Sequence, residues 1–161
     1  MKSNVYVKNI WLQSGRSNVR GANMTGETNL SVLIASMEPE LLTETYVFTV
    51  VDESQFSSLP MSVIKGFFRE REGVTIIAQL SHAKDLGLIY EGEYRCLTLN
   101  VHSSLEAVGL TAAFSNALGD ENISANVVAG YYHDHIFVPS RDGEKALTCL
   151  QTLAKRYQNQ G

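Results

Sequence analysis

The sequence predicts an α+β fold in which helices pack on one face of an antiparallel sheet. Three observations lead to it. Residues 94–101 alternate with the period of a half-buried strand: Leu97, Leu99 and Val101 on one side, Cys96, Thr98 and Asn100 on the other. Leu110, Ala113, Phe114, Ala117 and Leu118 recur at helical spacing, as do Ala146, Leu147, Leu150, Leu153, Ala154 and Tyr157. Between these helices lie two short strand-like runs, 123–129 and 136–138, so the second half reads β-α-β-β-α. With 161 residues and 44% hydrophobic content, the chain has material for a core and fits one domain, or two small units sharing a sheet.

Taken in order, residues 1–23 differ from the rest, being rich in Asn, Ser, Arg and Lys around an apolar island at 5–12. Two readings of this N-terminal extension stay open: a run ahead of a natural start at Met24, or a tail that packs on the surface. Residues 30–37 form an apolar run of strand length, ended by Glu38-Pro39 because proline cannot donate to a ladder. Residues 46–51 are β-branched and aromatic and predict a second strand. Residues 54–60 read as a loop. Residues 63–69 and 74–78 flank Glu70-Arg71-Glu72-Gly73 and predict a hairpin, with Gly73 supplying the turn's positive φ. Residues 81–86 predict a short helix closed by Gly87. The first half thus shows four strands and little helix. In the second half, Ser103-Ser104-Leu105-Glu106 matches a capping box, so one helix is expected from near Ser104 and another from near Ser140.

The net charge of −4 and the lack of any Lys/Arg run remove the electrostatic footprint of a nucleic-acid binder. Cys96 and Cys149 stand alone in apolar contexts, without a CxxC, and read as buried free thiols. Asn4, Lys8, Asn9 and Gln13 interrupt the N-terminus where a secretory signal would need an apolar run, and no run approaches the ~20 residues of a membrane helix. A soluble cytoplasmic protein is the expectation.

Residues 101–139, VHSSLEAVGLTAAFSNALGDENISANVVAGYYHDHIFVP, place a strand end, a Ser-rich turn, a small-residue helix, a strand, a tight turn and a further strand in one run. This stretch resembles the ACT domain, a small regulatory module that binds amino acids. From Met24 onward, beginning MTGETNLSVLIASMEPELL, the chain is similar to a bacterial group of double-ACT proteins, with CASTOR-type amino-acid sensors as more distant relatives. The resemblance implies tandem ferredoxin-like units: a degenerate ACT-like unit at 24–90 and an ACT-like unit at 91–161. The ferredoxin-like order ends in a further strand, and none is evident after Tyr157. That strand is expected from the first half or from a partner subunit. The resemblance also implies a non-catalytic regulatory module, a small-molecule effector (an amino acid foremost), no cofactor, and association as a homodimer.

Three constellations bear on chemistry. ACT effectors usually bind near the strand-to-helix loop, so the resemblance marks Ser103, Ser104, Val108, Gly109 and Leu110 as contacts. A helix N-terminus there would offer free N–H groups to a carboxylate. Tyr132, His133 and Asp134 could add polar contacts from the next turn. On a strand, His133 and His135 would share a face opposite Asp134. Two imidazoles so spaced could also hold a metal with His102, but half a zinc shell with no second cluster favours a polar turn instead. A triad from Ser103 or Ser104 with a histidine and Asp134 has no nucleophile elbow behind it. Cys96 beside Arg95 could be an activated thiol, but it lies mid-strand. The expectation is a binding module with no enzyme activity and no metal. A ligand-free interaction protein and a His-based metal-binding protein are the alternatives.

Overall fold

The computed structural model describes residues 27–101 and 108–159. Five helices and six strands follow in the order α1 (Leu30–Ala35), β1 (Pro39–Val51), α2 (Glu53–Ser58), β2 (Ile64–Arg69), β3 (Val74–Gln79), α3 (Leu80–Asp85), β4 (Tyr94–Leu99), α4 (Leu110–Asp120), β5 (Asn126–Ala129), β6 (Asp134–Pro139) and α5 (Gly143–Gln158). The strands form one antiparallel sheet ordered β2-β3-β1-β4-β6-β5. Thus β1-α2-β2-β3-α3 and β4-α4-β5-β6-α5 are two copies of one pattern.

The strand missing from the second copy comes from the first. In the second unit β1 lies beside β4, where a ferredoxin-like unit has its fourth strand; in the first unit β4 fills that place beside β1. One long strand serves both units. Residues Tyr46 to Val51 of β1 pair with β3, while Pro39 to Leu41 and Thr45 to Tyr46 pair with β4. The register breaks between Leu41 and Thr45. There Arg95 donates from Nη2 and Nε to the Leu42 carbonyl at 2.7 and 3.2 Å, satisfying an acceptor that the irregular ladder leaves over.

The helices share one face. Opposed residues of an antiparallel ladder point the same way, and Tyr46 pairs with both Gln79 and Tyr94. Val47, Val51, Ile76, Leu97 and Leu99 therefore all face away from the Tyr46 side. Under α1, α4 and α5, Leu33, Ile34, Leu97, Leu99, Phe114, Leu118, Ile136 and Leu150 are fully buried. Phe56 of α2 closes a smaller cluster with Val51, Val74, Ile76 and Ala78. The opposite face holds Tyr46, Ile77, Cys96 and Phe137 nearly without exposure although no described helix covers it. The sheet curls toward this face. Lys65 on β2 perturbs the ionisation of both Cys96 on β4 and His135 on β6. In a flat sheet β2 and β6 would be four strand spacings apart, about 19 Å.

Several expectations change. Residues 30–35 are helical rather than a strand, because Asn29 Oδ1 accepts from the Ser31 and Val32 N–H groups at 3.0 and 3.3 Å. Leu33 and Ile34 are then buried on the helix, and Met37 is buried just past its end. Pro39 begins a strand instead of ending one. The expected loop at 54–60 contains α2, started by a capping box in which Asp52 accepts from Gln55 N and the Gln55 side chain accepts from Asp52 N. Among the described residues the first half accordingly has three strands and three six-residue α-helices, not four strands. The hairpin at 64–79 forms as expected, with Gly73 at φ +148° in its turn. The helix expected from near Ser104 is described only from Leu110, and Ser103 to Glu106 lie outside the described residues. A 3-10 turn at Ser140–Asp142 precedes α5.

Candidate functional site

The second unit's strand-to-helix connection lies at the sheet end where β4 finishes and β6 starts. Leu99 pairs with Asp134, and Leu99, Val101 and Leu110 belong to one buried cluster. Gly109 is the N-cap of α4, at φ +101° and ψ −18°. A glycine has no side chain to accept from the first-turn N–H groups, so this N-cap residue supplies no side-chain cap. Its Cα faces α1: a Cβ there would stand 3.0 Å from Leu30 Cδ2. The position therefore serves close packing between α1 and α4 as well as the backbone turn. Val108 is 84% exposed beside it, whereas Leu110 is buried in the core.

Across the sheet end, the β5–β6 turn is closed by Gly130 N donating to His133 O at 3.0 Å. His133 sits in this turn, because β6 begins only at Asp134. The expected pair of same-face strand histidines is therefore not formed as a strand feature. Asp134 and His135 do point to opposite faces. His135 lies with Thr98 on the helix-free side, Nδ1 3.0 Å from Thr98 Oγ1. Burial, then Lys65 and His133, push its pKa down to about 4, so it is neutral near pH 7. Asp134 lies with Leu99 on the helix side, half-buried. Burial raises its carboxyl above the usual carboxylate range, against a smaller opposing effect of His133. Among the described residues its side chain has no hydrogen bond or ion pair. Tyr131 and Tyr132 cap the turn, edge to face at a centroid distance of 4.9 Å, and are 70% and 55% exposed.

Val108, Gly109 and Leu110 thus lie at the start of α4, and Tyr132, His133 and Asp134 at the β5–β6 turn and the first residue of β6. Ser103 and Ser104 lie outside the described residues. The sequence offered no sign of Leu30, which belongs to a run read as strand. The equivalent connection in the first unit is closed. There a single residue, Asp52, joins β1 to α2, and its own carboxylate occupies the helix N-terminus. Among the described residues no three His, Cys, Asp or Glu side chains gather to hold a metal ion. Cys96 and Cys149 are free, and Cys96 is fully buried. Burial pushes the Cys96 thiol up to about 11, against smaller effects of Lys65 and Thr98, so it is not an activated nucleophile. Arg95 lies on the other face of β4.

Two βαββα units that lend each other a strand define a tandem α+β module. The chain belongs to the ACT-domain family: two ACT-domain models match, over residues 25–95 and 91–152. ACT domains typically serve as regulatory modules that bind amino acids. Among solved structures, the chain is similar to a Vibrio cholerae protein described as of unknown function and a possible transport protein. The two share 44% identity, 78% of this chain and 95% of that one are covered, and the TM-score is 0.68. An Agrobacterium tumefaciens protein shares the fold at 18% identity, covering 73% of this chain and 89% of its own, with a TM-score of 0.59. So does the ligand-free regulatory subunit of aspartate kinase from Thermus thermophilus, at 9% identity, 71% and 95% coverage and a TM-score of 0.58. No curated protein matches. No described helix is long and apolar enough to cross a membrane.

Proposed function

We propose that the chain is a non-catalytic cytoplasmic regulatory module, with ACT-like units at 24–90 and 91–161, that binds a free amino acid at the β4–α4 connection and works as a homodimer. The observation that carries the ligand reading is the half-buried Asp134 carboxylate, which has no hydrogen bond or ion pair among the described residues, at the sheet end where β4 finishes. An α-carboxylate would take the N–H groups of the first turn, where the helix dipole favours negative charge. The α-ammonium would pair with Asp134, offsetting its desolvation. Ser103 and Ser104 enter this site on the resemblance alone. The regulatory role of the Thermus thermophilus subunit, which shares the fold, supports the same class.

The Leu30 contact at Gly109 favours a second reading, in which the connection only packs α1 against α4 and the module takes no ligand. A thermal-shift screen against the common L-amino acids and divalent metals separates the two. A ligand at about 100 times its Kd stabilises the fold by about 2.7 kcal/mol, which raises the melting temperature by several degrees. A flat response to every amino acid would favour the ligand-free reading. A response to zinc alone would point to the histidines.

A further inference from the structure

The outer side of the helix layer carries a groove between α4 and α5 that has no part in the ligand site. The helices run antiparallel along it. Cys149 donates its thiol to the Ala117 carbonyl at 3.3 Å, and one turn away Lys145 bridges to Glu121, Nζ to Oε2 at 3.1 Å. The floor is apolar and small, formed by half-buried Ala113, Ala117, Cys149 and Leu153. Charge is sorted by end. Asp120 and Glu144 stand exposed at one end without an ion pair among the described residues, while Lys145 is engaged by Glu121. Arg156 stands exposed at the other end, also without an ion pair among the described residues.

The dimensions choose the occupant. Glu144 and Arg156 lie on one helix, and at 1.5 Å rise per residue their positions are about 18 Å apart. A single amino acid cannot bridge that length, but a packed pair of helices can. A two-fold axis perpendicular to the groove would set the acidic end of one copy on Arg156 of the other, and the reverse. We propose that a second copy of this chain docks in the α4–α5 groove by this antiparallel, self-complementary contact. The inference rests on the homodimer reading above and names its surface. It leaves the outer edges of β2 and β5 free.

Sedimentation equilibrium on the full chain tests it, with Arg156→Glu, Asp120→Arg and the double variant. In an isologous interface each contact occurs twice, so either single reversal should weaken dimerisation about tenfold or more. The double variant should return it to near the wild-type value. Both side chains are exposed, and unchanged thermal melts would show that the variants fold. A wild-type dimer that both single variants leave intact would overturn the groove but keep the homodimer, moving its interface to the sheet edges. A double variant as weak as the singles would also overturn the groove. A wild-type chain that stays monomeric at every concentration would overturn the homodimer reading, and the groove with it.

Discussion

Asp134→Asn separates a ligand-binding carboxylate from a merely structural one. Asp134 lies on the helix face of β6 opposite Leu99, with no pairing group among the described residues, and burial raises its pKa. A carboxyl whose pKa is raised in the folded state favours the fold in its neutral form. The charged form therefore costs stability at neutral pH, and the cost fades as pH falls through the raised pKa. Asparagine keeps the shape and removes the charge, so the free variant should melt no lower than wild type at pH 7–8. Any gain should shrink on acidification. Ligand binding should change in the opposite direction. A charge-assisted hydrogen bond between an ammonium and Asp134 is worth about 1.5–3 kcal/mol, a loss of roughly 10- to 150-fold in affinity. Isothermal titration of the amino acid found by the thermal-shift screen measures this loss. In the wild type, affinity should also fall as pH drops through the raised pKa of the free protein, because the bound ammonium favours the charged carboxylate. A variant that melts below wild type at neutral pH, or binds as well as wild type, would refute the reasoning.

Two further outcomes follow from the same end of the sheet. His135 carries a folded-state pKa of about 4 against an ordinary 6.5, so the unfolded chain binds its proton first and this residue's share of stability is lost as pH falls from about 6.5 toward 4. His135→Gln should lose less of its urea midpoint between pH 7 and pH 5 than wild type does; equal losses would show that another group controls the acid limb. Gly109→Ala should destabilise by about 1–3 kcal/mol in urea unfolding, because φ +101° strains any other residue and the new Cβ would meet Leu30 at 3.0 Å. Adding Leu30→Ala should not restore it, since the backbone strain would remain.

Much of the second unit was legible because its elements are long and periodic. The alternation at 94–101 and the stripes of α4 and α5 place Leu97, Leu99, Phe114, Leu118 and Leu150 in the core, where they are fully buried. The first half was harder because its helices have six residues each, too short for periodicity to outweigh composition. Residues 30–37 are apolar enough for a strand; the Asn29 cap and the buried positions of Leu33 and Ile34 decide for helix. Asp52 and Gln55 carried a capping signal inside what reads as loop. The exchange of β1 and β4 left no local trace. It depends on a register break opposite Arg95, and pairing between strands far apart in sequence is a tertiary fact.

The candidate site shows the same division between alternation and contact. Strand alternation alone sets Asp134 and His135 on opposite faces, and the structure keeps that opposition. Alternation cannot say which face is lined by helices, nor that His133 drops into the turn. Those follow from β6 pairing with β4 so that Asp134 meets Leu99 and His135 meets Thr98. Gly109 carries two meanings that one letter cannot separate: backbone freedom at φ +101° and contact with Leu30. The first unit then shows what a closed version of the connection looks like, with Asp52 filling the helix N-terminus from within the chain. Set against it, Gly109 gives the N-terminus of α4 no carboxylate from its own N-cap, and Asp134 at the end of the sheet has no hydrogen bond or ion pair among the described residues. A zwitterion supplies both charges at once, which is why the ligand proposal attaches to the second unit alone.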